Sequence, residues 1–254
     1  MTRFVCILSG KGGVAKTTTT VNLGAALNHF GRDVTIIDGN LTTPNLGLHL
    51  GIPTDIISLH DVLKGKHNIL KSVYQHSSGL KIIPGSLSLS HFKKTKFSNF
   101  SKVLPSLSGL TDVVLIDCAP GLGDDVFSVV KAVDDVVVVT NPELPAVADA
   151  LKIVKLVEKQ NKNIKGIVLT KTGLNHDINF EDIKGLMEKD IIANIPYDKS
   201  IRESLFRKEP VVYSHPKSKS AVAYKKLAAD LIGVEYNEKV SGKVKTFFSS
   251  LFKR

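Results

Sequence analysis

The chain contains no tryptophan and only two cysteines, Cys6 and Cys118. Both lie inside apolar runs and neither begins a Cys-x-x-Cys pair. That argues against a disulfide framework or a thiolate metal site, and reads as core thiols in a reducing compartment. No apolar run approaches the ~20 residues that cross a bilayer. No signal-peptide pattern precedes the first strand-like run. The expectation is a cytoplasmic protein, or one attached to a membrane from its cytoplasmic face only. The eight histidines show no metal-ligand spacing. Internal repeats and low-complexity segments are absent. Acidic residues are the scarcer charge, with 24 Asp and Glu against 34 Lys and Arg and a net charge of +10. This surplus favours a polyanionic surface as partner, either anionic lipid or nucleic acid, and charge alone does not choose between them.

What is present is an ordinary globular composition, 43% hydrophobic and 23% charged over 254 residues. That length suits one α/β domain with a large core. Apolar strand-like runs fall at 4–8, 33–38, 80–83, 112–117, 136–139, 164–169 and 191–195. Helical spacing predicts helices at 17–30, 98–108, 124–132, 145–160, 179–188, 199–207 and 218–232. Near-continuous apolar strands separated by helices predict a single-domain, mostly parallel β-sheet flanked by helices on both faces. The domain is expected over 1–233. Residues 234–254 read as a linker and a C-terminal amphipathic helix.

The densest chemical signal is Ser9-Gly10-Lys11-Gly12-Gly13-Val14-Ala15-Lys16-Thr17-Thr18. A strand before it and a helix after it make the setting of a phosphate-binding loop. Small residues let backbone N–H groups converge on phosphate oxygens, and the helix N-terminus adds a positive dipole end. Lys16 would reach the outer phosphates and the Thr17 hydroxyl would ligate Mg²⁺. Ala15 stands where the strict pattern has glycine. If that position must be left-handed, alanine costs about 1–2 kcal/mol. Ligands of parallel sheets gather beyond the carboxyl ends of the strands. Asp38 and Asp117 both end apolar strands and would hold Mg²⁺ through water.

An ordinary phosphate loop does not need Lys11. The pattern Lys-Gly-Gly-Val-x-Lys-Thr-Thr resembles the deviant Walker A motif of the ParA/MinD family of P-loop ATPases, and the resemblance covers roughly residues 3–232. It implies a P-loop NTPase fold, ATP/ADP and Mg²⁺ as cofactors, and an ATP-dependent homodimer in which Lys11 reaches the partner's nucleotide. Nucleotide binding is then expected from Gly10 through Thr18, metal binding from Thr17, Asp38 and Asp117, and catalysis from Lys11, Lys16 and Asn40. The run Asp38-Gly39-Asn40 resembles the family's first switch, whose second aspartate positions the attacking water. Asn40 keeps an acceptor but not the charge, so hydrolysis is expected to be slow. Asp117-Cys118-Ala119-Pro120-Gly121 resembles the Walker B and second-switch segment, with alanine and proline exchanged. The iron–sulfur scaffold relatives carry a C-terminal Cys-x-x-Cys that is missing here. Thr170 stands where the family commonly reads the adenine edge with asparagine, and a single hydroxyl makes no two-point contact. Pro196, Tyr197 and Asp198 resemble the segment that closes over the base.

Along residues 238–254, Val240, Val244, Phe247, Phe248, Leu251 and Phe252 fall on one helical face, with Lys239, Lys243, Lys245, Lys253 and Arg254 on the rim or the other side. The pattern is that of an interfacial membrane helix and resembles the membrane-targeting helix of this family. A helix docked on the protein's own core or on a partner is the alternative. A second basic stretch, His91 to Phe97, interleaves lysine with aromatics and reads as a solvated loop, with nucleic acid as the other reading. The combined expectation is an ATP-dependent, membrane-associating ATPase that positions cellular machinery together with an unidentified protein partner. The rivals are a DNA-binding partition ATPase and a nucleotide-gated scaffold with little hydrolysis.

Overall fold

A computed structural model describes residues 1–88, 99–174 and 178–236. The basic stretch 91–97 and the tail, with Val244, Phe247, Phe248, Leu251 and Phe252, lie outside the described residues. Strands β1 (Arg3–Leu8), β2 (Val34–Gly39), β3 (Tyr74–Gln75), β4 (Lys81–Ile83), β5 (Val113–Cys118), β6 (Asp135–Thr140), β7 (Asn163–Thr172) and β8 (Ile191–Pro196) form one sheet. Its order is β3-β4-β2-β5-β1-β6-β7-β8, with every pairing parallel except β3 with β4. The expected α/β architecture is therefore present as a single domain.

The apolar runs are central strands because both of their faces are covered. β2, β5 and β6 are buried at every residue. Along β1, Val5 and Ile7 enter one core while Cys6 and Leu8 enter the other, the two-residue alternation of a strand. Helices α1 (Lys16–His29) and Lys219–Ile232 cover the first face. Helices Asp124–Ala132 and Leu144–Lys159 cover the second. Fully burying one such Leu, Ile or Val side chain contributes about 1.5–3 kcal/mol.

Five short elements were given no bounds by the sequence: α2 (Leu46–Leu50), α3 (Leu59–Leu63), the 3₁₀ turn Ile69–Ser72, the edge strand β3, and helix Val211–Ser214. Each is too short to display a period. The helix expected at 98–108 is two pieces, an α-turn at Phe100–Val103 and a 3₁₀ turn at Leu104–Leu107. Pro105 lacks the N–H that would continue an α-register.

Candidate functional site

The glycine loop runs from the carboxyl end of β1 into α1. Ala15 takes φ 61° and ψ 32°, a left-handed residue in direct contact with the first turn of α1. The conditional strain of the sequence argument therefore applies, about 1–2 kcal/mol. Gly10 is required for another reason. A Cβ there would lie 2.3 Å from the backbone carbonyl carbon of Asp149, because helix Leu144–Lys159 passes against the loop.

Beneath the loop, strand order brings distant groups together. β5 lies between β1 and β2, with Asp117 in register with Ile7 on one side and Asp38 on the other. Lys16 Nζ donates to Asp117 Oδ1 at 2.6 Å, and the Thr17 hydroxyl donates to Asp117 Oδ2 at 2.5 Å. Thr20 Oγ1 adds a contact to Asp117 Oδ1 at 3.3 Å. Lys16 and Asp117 are both buried. Asp38 is fully buried beside Asp117. Burial first, then the Asp117 charge, pushes its pKa up to about 7, although N–H bonds from Leu46 and Asn40 oppose the rise.

This arrangement suits a divalent cation. Two adjacent buried carboxylates, one held part-protonated for want of compensating charge, and a threonine hydroxyl are hard oxygen donors. Mg²⁺ takes one or two carboxylates and fills its remaining positions with water and phosphate. Among the described residues there is no group of three or more His, Cys, Asp or Glu that would cage a metal by itself.

Two cavities meet at the loop. One, of about 460 Å³, opens over Lys16 and Thr17 and is also lined by Asn40, Thr43, Asn45 and His49. The other, of about 630 Å³, lies past Ala15 and is lined by Thr170, Lys171, Pro196, Tyr197 and Asp198. Thus the structure gathers Lys11 to Thr18 (Val14 apart), with Asn40, around the first cavity, and Thr170 with 196–198 around the second.

Several of these residues have partners that the sequence did not reveal. The Thr170 hydroxyl donates to Val14 O at 2.9 Å and lies 3.2 Å from Thr140 O. Its one proton braces the phosphate loop rather than facing the second cavity, so it offers a base edge no donor. Tyr197 is exposed, and its amide already bonds Thr172 O at 2.8 Å. Burial pushes the Asp198 carboxyl up, but hydrogen bonds from Ser220 and Ser200 outweigh it and hold the pKa at about 2. Side chains at 170 and 198 are therefore structural ties. Asn40 closes a turn on Thr43 through four bonds of 2.8–3.3 Å. Lys11 Nζ pairs with Glu143 of its own chain at 3.1 Å. Glu143 also accepts from Asn141.

Sequence reasoning missed three residues of the site. Lys171, left-handed at φ 54°, sends Nζ to Gly13 O at 2.8 Å and lines both cavities. Glu143 carried no role until its pairing with Lys11 was seen. His49 enters the phosphate cavity, and four-residue spacing from Asn45 was the one signal available for it.

Comparison with known proteins agrees with this geometry. A family model described as "ParA: NUBPL iron-transfer P-loop NTPase" matches residues 1–232. An uncharacterised ATP-binding protein of Methanocaldococcus jannaschii is 32% identical, over 98% of this chain and 95% of that one. The septum site-determining protein MinD of Synechocystis is 31% identical, over 92% of this chain and 90% of its own. The structure of MinD from Pyrococcus horikoshii, complexed with Mg-ADP, superposes with a TM-score of 0.87 at 37% identity, covering 91% of this chain and 96% of that one.

Proposed function

This chain belongs to the ParA/MinD family of P-loop ATPases, and from that premise we propose that it is an ATP-driven membrane switch. It binds Mg-ATP, dimerises with two nucleotides at the interface, and uses paired C-terminal helices to sit on anionic membrane, where it recruits a protein partner. The observation that carries the reading is the Lys16–Thr17–Asp117 cluster under a loop whose Ala15 is already left-handed. When a terminal phosphate enters, Lys16 can turn from Asp117 to the phosphate oxygens, and Thr17 from Asp117 to the metal. Mg²⁺, held by Thr17 with Asp38 and Asp117 behind it, would neutralise phosphate charge. Lys11, released from Glu143, would reach the partner's nucleotide. Asn40 brings no negative charge to the water, and hydrolysis is slow.

The membrane part rests on the tail's sequence. One short helix of this composition binds lipid weakly, and two in one dimer gain affinity through effective concentration. Nucleotide state thereby becomes membrane residence. Among the described residues no helix is long and apolar enough to cross a membrane. The test is sedimentation of the full-length protein with anionic liposomes or with DNA, each with ATP, with ADP and without nucleotide. ATP-dependent sedimentation with liposomes alone is expected. ATP-dependent sedimentation with DNA alone would replace the membrane reading with the partition reading, and no response to ATP with either would overturn the switch.

A further inference from the structure

The family resemblance assigns the attacking water to position 40, but here that side chain is occupied. Asn40 Nδ2 donates to Thr43 O and Oγ1, and Asn40 Oδ1 accepts from the Thr43 amide and hydroxyl. An amide with both ends closed on a neighbouring turn has little left for a water molecule.

His49 lines the same cavity as Lys16, Thr17 and Asn40. It sits on α2 one turn beyond Asn45, with its backbone N–H on Asn45 O at 3.0 Å, so the two side chains share a helix face. The helix is held at both ends. Asp38 Oδ2 accepts from Leu46 N at 3.0 Å, and Lys208 Nζ donates to Leu48 O at 3.0 Å. Among the described residues, the His49 ring has no hydrogen-bond partner. His60 and His76, nearby in the chain, differ. His60 uses both nitrogens, on Leu41 O and Ser86 N, and His76 does the same with Leu50 O and Ser78. Those two are structural ties; His49, by contrast, lines the cavity with no ring hydrogen bond among the described residues. Burial lowers its pKa, Asp117 opposes this, and Lys208 and Lys16 lower it further. An imidazole kept neutral has one donor and one acceptor nitrogen.

We propose that His49 is the catalytic residue that orients the attacking water, accepting its hydrogen bond at the free ring nitrogen in place of Asn40. The proposal rests on the ATPase reading above. In the step, the water oxygen bonds the terminal phosphorus as the bond to the bridging oxygen breaks, and that electron pair leaves on ADP. The water proton passes to the His49 nitrogen and from there to the released phosphate. Nothing beyond ATP and water is consumed.

The experiment uses the full-length protein with Mg-ATP, reading affinity by calorimetry and phosphate release in a single turnover. His49→Leu fills the same space without an acceptor. It is expected to slow release by about 100-fold, the low end of a general base's contribution, while ATP affinity stays within about threefold. His49→Gln returns an acceptor at similar reach and is expected to recover much of the rate. Should His49→Leu fail to fold, His49→Ala is judged by the same split. Wild-type release in these variants, or equal losses of rate and affinity that His49→Gln does not relieve, would overturn the proposal alone. A wild-type protein that binds ATP and releases no phosphate would overturn the hydrolase reading and this proposal with it.

Discussion

Lys11 Nζ lies 3.1 Å from Glu143 Oε2 of the same chain, with both side chains partly exposed. The residue that the family turns toward a second subunit is held at home in this structure. A partly exposed pair of this kind contributes only about 0–1 kcal/mol, so in the proposed dimer a phosphate on the second subunit would compete for it readily.

Removing the cation and removing its tether should act oppositely. Lys11→Ala is expected to bind ATP normally and stay monomeric, while Glu143→Gln should dimerise at lower ATP. Light scattering across an ATP series reads both. Equal dimer in Lys11→Ala and the wild type would refute the role of Lys11 across the interface.

Lys16 is expected to be the residue on which affinity depends most. Lys16→Ala removes charge-assisted bonds worth about 1.5–3 kcal/mol each, a loss of roughly 10- to 100-fold in ATP affinity for one bond. The nucleotide-free protein should weaken too, because Asp117 is left buried without its cation, a change that typically costs about 3–5 kcal/mol. Calorimetry on the variant, with a melting curve beside it, measures the two effects separately. Unchanged affinity in folded protein would end the phosphate-loop assignment.

Asp38 makes stability depend on pH in a defined direction. Its pKa is about 7 in the fold against an ordinary 3.8, so the folded state binds more protons than the unfolded one between those values. Stability from this group is therefore greatest below about pH 4 and declines as pH rises toward 7. Asp38→Asn should remove that component and raise the melting temperature of the nucleotide-free protein at pH 7.5, by about 2–4 °C for each kcal/mol recovered. The same change should weaken Mg²⁺ dependence. A melting temperature that falls at pH 7.5 would mean the carboxylate is not strained by burial.

At position 40, Asn40→Asp keeps the two acceptor contacts with Thr43 but loses the two Nδ2 donor bonds that close the amide on the turn, which frees a second, charged oxygen for water beside the phosphate cavity. A rise in single-turnover hydrolysis of about tenfold is expected, a fraction of what a positioned base supplies. Indistinguishable rates would remove position 40 from the reaction.

Deleting 238–254 should leave ATP binding intact and abolish ATP-dependent sedimentation with anionic liposomes. Phe248→Glu should come close to the same result by placing a charge in the middle of the apolar face. The basic residues each add roughly 1 kcal/mol near anionic lipid. High salt should weaken the wild type only in part, since the apolar contribution is not screened. Continued sedimentation of the truncated protein would disprove the membrane role of the tail.

What the sequence determined by itself is local or periodic chemistry. Strand β1, the glycine loop and α1 follow from adjacent residues, and the cost of a left-handed alanine at position 15 could be stated as a condition that the structure then met. The apolar runs ending in Asp38 and Asp117 identified both carboxylates, because a strand buried on two faces must be apolar to its last turnward residue. Only the tertiary structure decided what each polar group touches. Lys16 meets Asp117 from 101 residues away, Lys11 meets Glu143 from 132, and the Thr170 hydroxyl meets Val14 O from 156. Parallel strands are joined by crossovers that leave their order open, so no spacing in the chain predicts which ends become neighbours. The commitments of Asn40, Thr170 and Asp198, and the freedom of His49, follow from that placement. Each polar group has few bonds to make, and the fold determines which are already made.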